Sequence, residues 1–281
     1  MCADYAGLGV VSHRGEVSET LAVRGRAAAP IGLAIGSLIV LVATVRIALG
    51  SFRGQHWDQG ALSSVFAGPE AKRTLLGHLG NVSIGTAAVA LLICIALALV
   101  EGRRRLALAA AVIIAGANVT TQVLKHGVLE RTDFGLGTLN SLPSGHTTVV
   151  TSVVIATLLV APAVLRFPLA IAGSFAVTLT GASTVVAGWH RPADIIAALA
   201  VCLLWGASVA AVVGVRTAGA GMVITTFASL LGATAAGLFL IAVGVRPTGG
   251  WAGLVDAALV LGVVGAFAAL AVGSFARLER S

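Results

Sequence analysis

Charged residues are scarce in this chain. Asp, Glu, Lys and Arg together make up 10% of its 281 residues, whereas a soluble domain has about a quarter of its residues charged. Hydrophobic residues make up 58%, and the mean hydropathy is +1.01. So few charges cannot cover the surface of a soluble domain of this size. The composition therefore predicts an integral membrane protein.

Lysine and cysteine are also rare. Lys72 and Lys125 are the only lysines among 18 basic residues. No stretch of basic residues interleaved with aromatics occurs, so the net charge of +7 fits membrane topology better than nucleic acid binding. Cys94 and Cys202 fall within apolar runs, and no cysteine pair, Cys2 included, has the spacing of a metal site. Inert buried thiols are the favoured interpretation.

Eight apolar runs are each close to the length of about 20 residues that a membrane-spanning helix needs. They are continuously apolar rather than alternating, which favours helices over a β-barrel. Residues 1–29 are polar and have no apolar core, which predicts a cytoplasmic tail rather than a signal peptide. The predicted spans are residues 30–50, 82–100, 106–124, 147–165, 169–188, 193–214, 222–244 and 252–275.

The distribution of arginines predicts the orientation. Arg103, Arg104 and Arg105 follow the second span in a short loop, and such charges favour the cytoplasmic side. Both termini are then cytoplasmic, and the loops at 125–146 and 189–192 face outward. The first outer loop, about residues 51–81, has no chemical motif, although Trp57 and Phe66 predict that part of it lies in the membrane interface.

Polar residues are concentrated in three outward-facing segments, residues 125–133, 140–146 and 183–194. Ser144 and Gly145 immediately precede an apolar run, which predicts a helix start capped by Ser144. The first backbone N–H groups of a helix bind anions, and Gly145 allows a close approach. Lys125 and Arg131 add positive charge of the kind that stabilises a phosphoryl group in transfer.

The third segment contains a candidate nucleophile. Pro192 suits the first turn of a helix, and Asp194 follows His190 by four residues. If the helix extends back to His190, the two side chains share one face. Asp194 would then bond one ring nitrogen of His190 and leave the other free to attack phosphorus. His146 would protonate the leaving oxygen and later activate water. This chemistry requires no metal.

Each of these residues also has a structural interpretation. His146 could be a capping or interfacial residue, His190 and Asp194 could form a purely structural hydrogen bond, and Ser144 with Gly145 could only cap the helix. The remaining basic residues, Lys125, Arg131 and Arg191, could contact lipid headgroups instead of substrate.

The three segments resemble the signature motifs of the type 2 phosphatidic acid phosphatase family, which shares a six-helix core with vanadium haloperoxidases. The three motifs occur in the family's order, with a shortened gap of five residues between Lys125 and Arg131, and Pro-Ser-Gly-His is matched in full. Two positions depart from the family pattern: Thr132 and Thr184 replace a proline and an arginine. A threonine hydroxyl cannot replace a bidentate arginine, and Arg191 is a candidate substitute. The matching residues are Lys125, Arg131, Pro143, Ser144, Gly145, His146, Ser183, His190 and Asp194.

The resemblance implies an all-α polytopic membrane helix bundle. The phosphatase core would lie within residues 30–215, after the 1–29 tail, and residues 216–281 would add two transmembrane helices and a short tail. The implied activity is hydrolysis of a lipid phosphate or pyrophosphate, such as a polyprenyl phosphate or phosphatidylglycerol phosphate. It would proceed through a phosphohistidine at the outer face, without metal or cofactor.

Two alternatives stay open: a catalytically weak lipid-phosphate-binding or scaffold protein, and a lipid phosphotransferase. A haloperoxidase and a transporter are disfavoured, because the chain is embedded in the membrane and shows no polar path through several spans. The expected partners are a lipid phosphate substrate and membrane lipids. The sequence does not indicate an oligomeric state.

Overall fold

Helices make up most of the structure. The computed structural model describes residues 10–82, 84–100, 102–217 and 221–279, so Cys2 and Arg280 lie outside the described residues. The all-α prediction is confirmed. In chain order the helices are α1 (Val10–Gly50), α2 (Phe52–Ser63), α3 (Pro69–Asn81), α4 (Ile84–Val100), α5 (Arg104–Val123), α6 (Gly145–Val160), α7 (Arg166–Val186), α8 (Pro192–Val212), α9 (Gly221–Ala242) and α10 (Leu254–Ala276).

Each of the eight predicted spans coincides with a helix, namely α1 and α4 to α10. Within the described residues, six helices are long and apolar enough to cross a membrane. The chain is therefore a multi-pass membrane protein. The other two helices are shorter, with 17 residues in α4 and 16 in α6. At about 1.5 Å per residue they fall a few Å short of a hydrocarbon core of about 30 Å.

Two helix boundaries differ most from the prediction. The first helix begins at Val10, so residues 10–29 continue the first span as helix. The run at 147–165 does not stay helical to its end, because α6 stops at Val160. Ala161 adopts an extended conformation with ψ of 146°, as expected for a residue that precedes a proline, here Pro162. A 3₁₀ turn, Ala163–Leu165, then leads into α7.

The connection between the first two spans, residues 51–81, is more structured than the sequence suggested. It contains α2, α3 and the short strand β1 (Val65–Ala67), which pairs antiparallel with β3 (Val245–Pro247) between α9 and α10. A second pair joins β2 (Arg216–Thr217) to β4 (Leu278–Glu279). Helix α2 packs directly on the end of α1. Gly54 lies so close to the Ile47 carbonyl that a Cβ atom at this position would overlap it.

Helices α7 and α8 lie at the centre of the bundle. Helix α8 packs against α1, α5, α6 and α10, and α7 packs against α6, α9 and α10. Small residues allow close approach, as at Gly232, where a Cβ atom would overlap the Ile171 carbonyl. This packing brings the ends of α5 and α7 and the starts of α6 and α8 to the same end of the bundle.

Candidate active site

The start of α6 forms one wall of the candidate site, and the predicted helix start after Ser144 is confirmed. The Ser144 hydroxyl oxygen accepts hydrogen bonds from the Thr147 backbone N–H at 3.4 Å and the Thr147 hydroxyl at 3.0 Å. The Ser144 N–H donates to the Asp194 carbonyl oxygen at 2.9 Å, which joins the second and third polar segments. The N–H groups of Gly145 and His146 have no partner within the helix, so this helix end can hold an anion.

His190 and Asp194 are in contact, although the expected reason was wrong. Helix α8 begins at Pro192 with Arg191 as its N-cap, so His190 precedes the helix instead of sharing its face. Asp194 turns back towards the cap, and its Oδ2 lies 3.0 Å from His190 Nδ1. Because an ionised carboxylate only accepts hydrogen bonds, Nδ1 carries the proton in this contact and Nε2 of a neutral ring keeps its lone pair.

Asp194 Oδ2 accepts two further hydrogen bonds. The Arg191 backbone N–H donates at 2.9 Å, and the Ser141 hydroxyl donates at 2.6 Å. His190 is itself anchored through its backbone, since its N–H donates to the Thr184 carbonyl oxygen at 3.2 Å. Both side chains are almost fully buried. Three elements thus fix the orientation of the His190 imidazole: the start of α8, the loop before α6 and the end of α7.

Three basic residues lie around the His190–Asp194 pair, namely Lys125, Arg131 and Arg191. Lys125 is half-buried in a π-helical turn (Leu124–Val128) and is close enough to interact electrostatically with His146 and Asp194. Arg131 is buried, and it donates from Nε to the Gly137 carbonyl at 3.0 Å and from Nη1 to the Ala48 carbonyl at 3.4 Å. Its Nη2 has no hydrogen-bond partner among the described residues. Burial, together with the nearby Arg191 charge, lowers the pKa of Arg131 from its ordinary value.

Arg191 points across the site. Its Nε donates to Gln59 Oε1 at 3.1 Å, and its Nη1 donates to the Ser141 hydroxyl at 3.2 Å. Thr184, which replaces the family arginine, is fully buried, and its hydroxyl donates to the Gly181 carbonyl of its own helix at 2.7 Å. The Thr184 hydroxyl is thus already used as a donor, whereas the Arg191 guanidinium is joined to Asp194 through the Ser141 hydroxyl.

His146 is half-buried in the first turn of α6 and faces Trp189, with ring centroids 5.5 Å apart. Because Trp189 directly precedes His190, this ring contact places His146, the candidate acid, on the His190 side of the site. Asn140 shapes the loop before α6: its amide nitrogen donates to the Lys125 and Leu129 carbonyls, and its oxygen accepts from the Leu142 N–H.

Asp58 of α2 was not identified from the sequence. Its carboxylate oxygen Oδ1 accepts a hydrogen bond from the Ala193 N–H, in the first turn of α8, at 3.0 Å. Burial raises the pKa of Asp58 to about 7, and the negative charge of Asp194 adds to this shift. The Ala193 hydrogen bond and the charges of Arg191 and Arg131 act in the opposite direction.

Two glutamines of the same helix also contact the site. Gln55 Nε2 donates to the Leu49 and Thr132 carbonyls, both at 2.9 Å, and so ties the loop after Arg131 to the end of α1. Gln59 contacts Arg191 as described. One signal was present in the sequence: Gln55, Asp58 and Gln59 have the i, i+3, i+4 spacing of a helix face. Such a polar helix face could equally have been exposed to water, so the spacing alone did not show that these residues contact the candidate site.

An apolar cavity of about 900 Å³ lies between α1, α2, α8 and α10. Asp58, Pro192 and Ala193 form the part of its wall that adjoins the candidate site, and Ala48, whose carbonyl accepts from Arg131, also lines it. Most of the remaining wall is hydrophobic, with Ile47, Ile196, Leu259, Val263 and Phe267 among its side chains.

The site contains no obvious metal cage: among the described residues, no three His, Cys, Asp or Glu side chains are grouped as metal ligands would be. Whether the reaction is metal-independent stays a prediction. Residues 106–218 match the family model of the PAP2 superfamily, and this segment includes every residue of the three polar segments. No curated protein and no solved structure matched the chain.

Proposed function

We propose that the chain hydrolyses the phosphate ester or pyrophosphate of a membrane lipid, because residues 106–218 match the family model of the PAP2 superfamily, which generally comprises phosphatases. The observation that carries the proposal is the 3.0 Å contact between His190 Nδ1 and Asp194 Oδ2. It holds the imidazole in the tautomer whose Nε2 is nucleophilic.

The reaction proceeds in two displacements. His190 Nε2 attacks phosphorus, the bond from phosphorus to the leaving oxygen breaks, and protonated His146 donates a proton to that oxygen. Asp194 stabilises the positive charge that forms on His190. Neutral His146 then takes a proton from water, the hydroxide oxygen attacks phosphorus, and the N–P bond breaks. The products are the dephosphorylated lipid and inorganic phosphate, and both histidines return to their starting states.

The phosphoryl oxygens are held by two kinds of donor. Lys125, Arg131 and Arg191 supply positive charge, which stabilises the transition state more strongly in a buried site than in water. The first N–H groups of α6, at Gly145 and after the Ser144 cap, supply oriented dipoles. The unpartnered Nη2 of Arg131 supports this role, because a buried guanidinium nitrogen without a partner is costly until an anion binds.

The lipid nature of the substrate is supported by the apolar cavity of about 900 Å³ beside Asp58 and Pro192. A hydrocarbon chain fits such a wall, whereas a soluble sugar or nucleotide phosphate would leave it empty. The site belongs to the extracytoplasmic face in this proposal, since the arginine-rich ends of the helices lie at the other end of the bundle.

Phosphate release from a panel of lipid phosphates in detergent micelles tests the proposal. We expect release by the wild type and a loss of at least a thousand-fold in His190→Ala, on the order found when a covalent nucleophile is removed. His126→Ala is the matched control, because His126 is exposed and lies next to Lys125. Unchanged release by His190→Ala would overturn the mechanism.

The second candidate is a catalytically weak lipid-phosphate-binding protein. The buried Thr184 hydroxyl favours it, because that hydroxyl donates to Gly181 and cannot supply the two donors of an arginine. Binding of a lipid phosphate by the wild type without any phosphate release would support this candidate and exclude the phosphatase.

A further inference from the structure

The end of the bundle opposite the candidate active site has a cavity of its own, of about 1270 Å³. It lies between the start of α5, the turn from α6 to α7 and the end of α8. Helices α5 and α8 have 20 and 21 residues. Trp205 is the lining residue of α8 nearest to the candidate active site, and it lies 13 residues after Pro192, so at about 1.5 Å per residue roughly 20 Å separates this cavity from the start of α8. It is therefore a separate cavity.

The cavity combines two kinds of wall. Arg103, Arg104 and Arg105 line its mouth, and the described lining residues include no acidic side chain. Glu101 lies outside the described residues; counted with the three arginines, the segment 101–105 has three positive charges and one negative, a net of +2. Arg104 and Arg105 are exposed. The mouth therefore attracts anions.

The inner wall is hydrophobic and faces the membrane. Leu108, Val112 and Val212 line it, and the side chains of Leu108 and Val212 are 67% and 87% exposed. Trp205 forms the back of the cavity, where its ring packs against Gly116. An apolar wall that opens sideways on two membrane helices suits a hydrocarbon chain better than a soluble anion.

We propose that this cavity binds an anionic phospholipid from the adjacent leaflet. Arg104 and Arg105 hold the headgroup phosphate, and the acyl chains lie along α5 and α8. The cavity matches such a lipid in both parts: its basic mouth faces the anionic headgroup, and its apolar groove between membrane helices accommodates the hydrocarbon chains. The inference does not depend on the phosphatase proposal.

Lipid binding would also stabilise the end of α10 and strand β4. Arg166, which lines the cavity, is buried and donates from Nη1 to the carbonyl oxygens of Ala276 and Leu278. A bound lipid would stabilise the turn that carries Arg166 and, through it, the end of α10 and strand β4. Thermal stabilisation is therefore a second readout.

The test uses the purified full-length protein in neutral detergent, titrated with phosphatidylglycerol, a phosphodiester that offers no monoester to hydrolyse. Native mass spectrometry measures bound lipid, and tryptophan fluorescence follows thermal unfolding. We expect phosphatidylglycerol to bind and to raise the melting temperature, and phosphatidylcholine and glycerol 3-phosphate to do neither. The double variant Arg104→Gln, Arg105→Gln should bind phosphatidylglycerol at least ten-fold more weakly, because it removes both positive charges that hold the headgroup phosphate.

Two matched controls decide the outcome. The double variant Arg53→Gln, Arg73→Gln removes two exposed arginines at the other end and should leave binding unchanged. Val112→Trp fills the groove and should weaken binding, whereas Val119→Trp, seven residues along the same helix and outside the cavity, should not. Equal loss in both arginine pairs, or no effect of Val112→Trp, would overturn the proposal. Displacement of the lipid by glycerol 3-phosphate at equal concentration would contradict it too.

Discussion

Asp58 Oδ1 accepts a hydrogen bond from the Ala193 backbone N–H at 3.0 Å, across 135 residues of sequence. This hydrogen bond joins α2 to the first turn of α8. Ala193 follows Arg191 by two residues and His190 by three. The start of α8 orients both side chains, so α2, a helix of the connection between the first two spans, becomes part of the support of the candidate site. The following predictions concern that support and the cavity beside it.

Asp58→Asn should flatten the pH dependence of stability. Burial raises the pKa of Asp58 from 3.8 to about 7, so between these values the folded chain keeps a proton that the unfolded chain has lost. Stability from this group is therefore present below about pH 4 and is lost as the pH rises through 7. Arg131, Arg191 and Asp194 face Asp58, and Asp256 lines the same cavity. Thermal unfolding in detergent between pH 4 and 8 measures the difference.

Asp256→Asn is the control for this prediction, because Asp256 is exposed on the same cavity. Its unfolding profile should follow the wild type. A profile of Asp58→Asn that runs parallel to the wild type would show that Asp58 titrates outside this range.

Ser141→Ala should reduce turnover without removing it. The Ser141 hydroxyl donates to Asp194 Oδ2 at 2.6 Å and accepts from Arg191 Nη1 at 3.2 Å. Its loss leaves Asp194 with two donors and loosens the Arg191 side chain. We expect kcat for lipid phosphate hydrolysis to fall about ten-fold, the effect of about 1.4 kcal/mol. Ser141→Thr keeps the hydroxyl and should recover most of the rate; failure of that rescue would point to packing instead.

Arg191→Gln and Thr184→Val together test which residue supplies the missing phosphate contact. Arg191 keeps its guanidinium near the His190–Asp194 pair, whereas the Thr184 hydroxyl donates to Gly181. We expect Arg191→Gln to raise KM about ten-fold, in line with the loss of a charge-assisted hydrogen bond. Thr184→Val should leave KM within about two-fold, because it removes only a bond inside α7. The reverse order of effects would assign the contact to Thr184.

Val263→Trp should make the enzyme selective for short chains. Val263 lines the apolar cavity, and an indole there would occupy space that a long hydrocarbon chain needs. Hydrolysis of a long-chain lipid phosphate should fall several-fold relative to a short-chain analogue assayed in parallel. Leu270→Trp is the matched control, since Leu270 is exposed one heptad further along α10 and lies outside the cavity. Equal effects on both chain lengths would exclude this cavity as the chain site.

Local pattern determined a large part of this protein. Every apolar run coincides with a helix, because in a membrane the backbone must satisfy its own hydrogen bonds. The cap at Ser144 and the start at Pro192 follow from local chemistry, and the contact of His190 with Asp194 was predicted, although from a shared helix face that the structure does not have. The predicted end of the fourth span at 165 was wrong, because Pro162 disfavours helix at the residue before it, although the run stays apolar.

Tertiary packing decided the rest. The contacts of Asp58 with Ala193, Gln59 with Arg191 and Ser141 with Asp194 join residues 135, 132 and 53 positions apart. No periodicity within one segment encodes such pairs, since each depends on how α2 lies on α1 and how α8 lies between its neighbours. The same holds for Arg131, whose partners are backbone carbonyls that any sequence would offer. The sequence therefore determined which groups are candidates for the chemistry, and only the packing of helices determined which groups hold them in position.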